Sequence, residues 1–139
     1  MPITVLLADD SEFMRKAIVK LLADEPRIQL VGEASGFADT IAKNAELKPQ
    51  VLLMDLHMHD EHSYPPHVVK TQIHEHTECL IAISVWNDDR AHNLAGAFGA
   101  HHLLDKCRLY SDLIPAVLLH CTDPATLQHC DTSTEIQTG

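Results

Sequence analysis

Basic residues are scarce in this chain. Ten Lys and Arg stand against 20 Asp and Glu, a formal net charge of −10, and such a balance repels a nucleic-acid backbone rather than gathering it. No apolar run approaches the roughly 20 residues that cross a bilayer. The opening Met1-Pro2-Ile3-Thr4 lacks the basic start of a secretory leader. A cytoplasmic protein with no membrane contact is therefore expected. Cys79, Cys107, Cys121 and Cys130 include no CxxC pair, so free thiols in a reducing compartment are expected. No internal repeat is visible. Histidine is abundant instead, with 11 residues. The pairs His57/His59 and His74/His76, and the echo of His120-Cys121 in His129-Cys130, match no recognised zinc spacing. Solvated surface histidines are the expectation.

What is present is one domain's worth of chain, 139 residues with 45% hydrophobic content, enough to bury a core. Val51-Leu52-Leu53-Met54 is a short apolar run followed at once by Asp55. Such a run reads as a strand buried on both faces of a sheet, and ligands of open parallel sheets bind beyond the strands' carboxyl ends. Taken alone, Asp55 could equally cap the next loop.

The rest of the chain repeats the pattern. Ile3 to Ala8 reads as a strand ending in Asp9-Asp10, and Ser11 as the cap of a helix with Phe13, Met14, Ala17, Ile18, Leu21 and Leu22 on its inner face. Ile28 to Ala34 is a mixed strand, nearer an edge. Gly36 opens a helix with Phe37, Ile41 and Ala45 stacked, ended by Pro49. A polar, proline-rich loop runs from His57 to Pro66, then a weak helix to about His76 presents Val69 and Ile73. Cys79 to Ser84 is a fourth strand. Asp88 or Asp89 starts a helix with Ala91, Leu94, Ala95 and Phe98 inward and Gly99 at its C-cap. His102 to Asp105 is a fifth strand, and Lys106 follows it. Ser111 is expected to cap a last helix with Leu113, Ile114, Val117 and Leu118 inward and Pro115 near its first turn. Five strands alternating with five helices predict an α/β, doubly wound parallel sheet of order 2-1-3-4-5, flavodoxin-like. Residues 1–120 form that domain, and 121–139 read as a polar, mobile tail.

Four of these strands end in polar groups: Asp9-Asp10, Asp55, Ser84 and Lys106. In one parallel sheet they gather at one rim. Clustered carboxylates repel and call for a cation, and oxygen-only ligands suit Mg²⁺. A lysine and a hydroxyl can hold a phosphoryl group's oxygens. Each part alone has an ordinary reading as a cap or a solvated charge, but their joint order is the set that phosphoryl transfer needs.

The chain resembles the receiver domain of bacterial two-component response regulators. The resemblance runs from Ile3 to His120 and is carried by Val5-Leu6-Leu7-Ala8-Asp9-Asp10-Ser11, by Lys48-Pro49-Gln50-Val51-Leu52-Leu53-Met54-Asp55-Leu56-His57-Met58, by Ile81-Ala82-Ile83-Ser84, and by Gly99-Ala100 with Leu104-Asp105-Lys106. Val31-Gly32-Glu33-Ala34 is similar to receivers of the NarL/FixJ type, which precede helix-turn-helix output domains. The resemblance implies that Asp55 accepts the phosphoryl group. It implies that Asp9, Asp10, Asp55 and the His57 backbone carbonyl serve Mg²⁺, that Ser84 is the switch hydroxyl, and that Lys106 pairs with the phosphoryl group. It implies a response regulator that is not an enzyme beyond assisting its own phosphorylation and dephosphorylation. A histidine kinase or phosphotransfer protein would donate the group. A protein partner would read the face of the fourth helix, fifth strand and fifth helix, without direct DNA binding, and a stand-alone receiver is the expectation.

The chain departs from the pattern at His59 and Cys107, where proline is usual, at Ser63, where glycine is common, at Leu103, where an aromatic is usual, and at Val85, where a small residue is usual. Two alternatives stand beside this reading. One is a receiver-like interaction module that is not phosphorylated. The other is a phosphatase of the haloacid dehalogenase type, which needs an acid where His57 stands.

Overall fold

The computed structural model describes residues 1–120. The tail expected over 121–139 lies outside the described residues, with Cys121, His129 and Cys130. Five strands, β1 (Ile3–Ala8), β2 (Ile28–Ala34), β3 (Val51–Asp55), β4 (Cys79–Ser84) and β5 (His102–Asp105), alternate with five helices, α1 (Glu12–Ala23), α2 (Phe37–Leu47), α3 (Pro66–His74), α4 (Asp89–Ala97) and α5 (Leu109–Leu119). All strand pairs are parallel, in the order β2-β1-β3-β4-β5. This is the doubly wound, flavodoxin-like architecture that the alternation predicts.

Period-two alternation divides the apolar strands between two layers. Val5, Leu7, Val51, Leu53, Ile81 and Ile83 face α1 and α5, packing on Ile18, Leu22, Leu113 and Val117. Leu6, Leu52, Met54, Leu80 and Ala82 face α2, α3 and α4, packing on Phe37, Val69, Ile73, Ala95 and Phe98. The Phe37 and Phe98 rings stack at 5.5 Å in this second layer. Every residue of β3 is buried, whereas the edge strand β2 is only partly so. Continuous apolar runs are what strands covered on both faces require.

The helix ends explain the boundaries. Ser11 Oγ accepts from Met14 N at 3.1 Å, and Asp88 Oδ1 from Ala91 N at 2.9 Å, so α1 and α4 carry local caps. Lys48 closes α2 in the left-handed region, φ 46°. Gly99, at φ +79°, lies in the left-handed region that favours glycine, and a Cβ there would also press on the His74 ring tip at 2.8 Å.

Three helix faces differ from the expectation. Phe13 is 82% exposed and Ala17 is exposed, so the inner face of α1 is narrower and rests on Ile18 and Leu22. On α2 the buried positions are Phe37, Thr40 and Asn44, while Ala45 is exposed. Thr40 Oγ1 donates to Gly36 O, Asn44 Nδ2 donates to Ile73 O, and Thr77 Oγ1 donates to Asn44 Oδ1, so these polar groups are bonded where they are buried. Finally, α5 begins at Leu109, after a 3-10 turn over Lys106–Arg108 that Asp105 caps. Ser111 therefore lies inside the helix, donating to Arg108 O, and Pro115 is a helix-interior proline rather than a first-turn one.

Candidate functional site

The strand register assembles the site. Leu7 pairs with Leu53, so two residues further on Asp9 and Asp55 fall side by side, in the row that faces α1 and α5. Asp55 pairs with Ile83, and Ser84, the next residue, closes β4. Lys106 follows β5 directly.

Asp9 is wholly buried and Asp55 nearly so, while Asp10 is exposed. One carboxylate oxygen from each of the three lies within 4.8 Å of the others. Lys106 Nζ stands 2.8 Å from Asp9 Oδ2 and 2.9 Å from Asp55 Oδ2. The Asp55 contact is an aligned hydrogen bond. The Asp9 contact is a close charge pair without that alignment, so the buried Asp9 Oδ2 has no hydrogen-bond donor. The other oxygens are bonded: Asp9 Oδ1 accepts from Ser11 N at 2.9 Å, and Asp55 Oδ1 from His57 N at 3.1 Å. Ser84 Oγ accepts from Trp86 N at 3.0 Å, which leaves its proton available to a ligand.

Burial pushes the Asp55 carboxyl up from its ordinary range, against the pull of Lys106 and the His57 N–H, and the charge of Asp9 adds to the rise. Burial alone would lower Lys106, but its close pairing with the Asp9 and Asp55 carboxylates outweighs that and holds it raised and charged. The site therefore holds more negative charge than its one lysine neutralises. Oxygens around an octahedral Mg²⁺ stand about 3–4 Å apart, close to the span of this trio. The unsatisfied Asp9 Oδ2 is the atom a hard divalent cation would satisfy.

The structure thus brings Asp9, Asp10, Asp55 and Lys106 together, with Ser84 at the neighbouring strand end and His57 two residues beyond Asp55. It also adds residues that the sequence did not flag. Arg15 Nη1 donates to Asp9 O at 2.6 Å while its Nε pairs with Glu33 at 3.3 Å, fixing the exits of β1 and β2 to one another. Trp86, 58% exposed, meets His57 edge-on at 5.7 Å. The two rings line a cavity of about 600 Å³ with Asp88, Arg90, Ala91 and Leu94. The one signal in the sequence for Arg15 is its place one helical turn after the cap Ser11, beside Asp9-Asp10.

The histidines are less uniformly solvated than expected. His101 Nδ1 accepts from Leu80 N at 3.2 Å, and His74 Nε2 lies 3.2 Å from Phe98 O. Burial, with His101 and His120 nearby, lowers the His102 pKa. Among the described residues the only His, Cys, Asp and Glu group placed to hold a metal is Asp9, Asp10 and Asp55.

This fold is shared with the receiver domains of response regulators. The response regulator domain of Thermotoga maritima CheB superposes with a TM-score of 0.75 at 23% identity, covering 89% of this chain and 100% of that one. The response regulator protein VraR of Staphylococcus saprophyticus is 47% identical over 60 residues, 43% of this chain and 29% of that protein. A protein-glutamate methylesterase/protein-glutamine glutaminase of Syntrophomonas wolfei is 45% identical over 56 residues, 40% of this chain and 16% of that protein. The likeness thus spans under a third of each of these longer relatives. No family model matches the chain.

Proposed function

We propose that this chain is the phosphoacceptor of a two-component pathway, with Asp55 as the accepting residue and Mg²⁺ as the cation of the acid cluster. The observation that carries this reading is the pairing of Lys106 with Asp55 beside a buried Asp9 oxygen that lacks a donor. An Asp55 oxygen would attack the phosphorus of a phosphohistidine. The new O–P bond forms as the N–P bond breaks, and the imidazole nitrogen takes the leaving electron pair and then a proton. Asp9, Asp10, Asp55 and the His57 carbonyl would hold Mg²⁺, which would neutralise the charge that the incoming group brings. Lys106 would move from Asp55 to the phosphoryl oxygens, and the Ser84 hydroxyl would donate to another of them.

The donor would be a histidine kinase or a histidine phosphotransfer protein in the cytoplasm. Among the described residues no helix is long and apolar enough to cross a membrane. The readout would be a protein contact on the α4, β5 and α5 face, where Tyr110 is 90% exposed. A net charge of −10 argues against direct DNA contact by this domain. The domain would turn over no external substrate, which separates it from the methylesterase relative.

Incubation with acetyl phosphate or phosphoramidate and Mg²⁺ should add one phosphoryl group, and Asp55→Asn should abolish the addition. Equal labelling of wild type and variant in the intact-mass spectrum would sink the assignment.

A further inference from the structure

Helix α2 has no cap of its own. Its N-cap residue is Gly36, in extended backbone at φ −175°, and no side chain beside it in sequence bonds the first turn. The cap comes from the loop after β3. Asp60 Oδ1 accepts from Phe37 N at 2.8 Å and Asp60 Oδ2 from Ala38 N at 3.0 Å, across separations of 23 and 22 residues. Burial works to raise the Asp60 pKa, but the two backbone bonds outweigh it and hold the carboxyl below its ordinary value. The approach is close: a Cβ on residue 36 would stand 2.8 Å from His59 Nε2 and about 3.1 Å from Asp60 Oδ2.

The span from Asp55 to Asp60 holds only four residues between its ends, and each end is fixed. Leu56 N bonds to Ile83 O at 3.2 Å, and the Leu56 and Met58 side chains are buried. His57 lies between them, with its N–H on Asp55 Oδ1 and its side chain exposed. Among the described contacts, the far anchor of this span is Asp60 on α2.

We propose that Asp60 is a positioning residue for the cation site, holding the loop that bears the His57 carbonyl in place by clamping it to the first turn of α2. This rests on the reading of Asp9, Asp10, Asp55 and the His57 carbonyl as a Mg²⁺ site. Loss of a group that orients a metal's ligands typically costs about 10–100-fold in metal affinity. Here the clamp fixes a backbone ligand, so its loss is felt as binding and not only as folding.

Trp86, which touches His57, is the single tryptophan of the chain and reports on this loop. Titration of the whole chain with MgCl₂, followed by Trp86 fluorescence and by calorimetry, gives the affinity. Asp60→Ala should weaken Mg²⁺ binding about tenfold, at the low end for such groups. Because that variant also loses a helix cap, Gly36→Ser in the same chain supplies a local cap instead, for which the His59 ring tip must swing aside. The double variant should regain part of the lost melting temperature, since Ser is a modestly better N-cap than Gly, yet keep the weakened affinity. If affinity returns with the cap, or if Asp60→Ala binds Mg²⁺ like the wild type, Asp60 is only a cap and the proposal is overturned. If the wild type itself binds no Mg²⁺, it is the reading of the acid cluster that fails.

Discussion

Lys106 reaches Asp55 across an intervening strand. β5 and β3 are separated in the sheet by β4, yet Nζ and Oδ2 meet at 2.9 Å. The lysine spans that gap because its long stem lies along the sheet rim while its head stays beside the carboxylates. The pair does not make the site neutral, since Asp9 shares the same ammonium at 2.8 Å.

That imbalance has a measurable consequence in Mg²⁺-free buffer. The Asp55 pKa is raised in the fold, with burial as the main cause. A raised carboxyl destabilises the fold when ionised. The penalty is absent below the unfolded pKa of about 3.9, grows as pH rises toward the folded pKa, and is complete above it. Asp55→Asn should therefore stabilise the apo protein at pH 7 and raise its melting temperature. The gain should vanish near pH 3. Thermal melts of both proteins at the two pH values check this, and an Asn variant less stable at pH 7 would reverse the charge argument.

Magnesium should act on the same repulsion. A ligand that binds only the native state at 100 times its Kd adds about 2.7 kcal/mol. The melting temperature should rise as MgCl₂ increases, and Asp10→Ala should remove most of the rise while folding normally, since Asp10 is exposed. An unchanged wild-type melting curve would count heavily against the cluster as a cation site.

Much of this site is legible in the sequence because strand ends carry it. Apolar runs such as Val51 to Met54 mark buried strands, and the residue after each run must sit at the rim whatever the helices do. The helix surfaces were harder to read. Phe13 has helical spacing from Ala17 and Leu21 yet faces outward, because only the stripe through Ile18 and Leu22 reaches the sheet. Asn44 looks like a surface residue until Ile73 and Thr77 supply its partners from α3 and the loop after it, and Thr40 is buried with its hydroxyl turned back onto Gly36 O. Asp60 is silent in sequence because the helix it caps begins 23 residues earlier. Long-range polar pairing has no period, so no local pattern announces it.

The Asn44 and Thr77 pair makes that point testable. Thr77→Val removes the hydroxyl that bonds Asn44 Oδ1 and leaves a buried acceptor unmet. The expected loss is about 1–3 kcal/mol. Asn44→Leu with Thr77→Val removes both polar groups and should recover part of that loss. Urea melts of the three variants would show it. Mg²⁺ affinity should not change in any of them, since neither residue lies at the rim.

Signal output is the last relationship the structure makes testable. Ser84 closes β4, and Val85 follows it, 53% exposed, beside the rim where the phosphoryl group would enter. Its branched Cβ is stiff, so it would narrow the approach for small donors and for attacking water alike. Leu103, on the edge strand β5, is half-buried and packs against the α2, α3 and α4 layer. A leucine fills that space but has no ring edge or hydroxyl with which to mark two different outer surfaces. Slow labelling by acetyl phosphate, a long-lived phosphoryl state and small changes on the α4 and β5 surface are expected together. Val85→Ala should speed both gain and loss of the phosphoryl group, by about tenfold if the side chain is worth about 1.4 kcal/mol at the barrier. Leu103→Tyr should enlarge the phosphorylation-dependent NMR shifts over α4 and β5 without changing the labelling rate. Unchanged rates in Val85→Ala would end the gate argument. Large shifts around Leu103 in the unmodified sequence would show that a leucine suffices as the moving part.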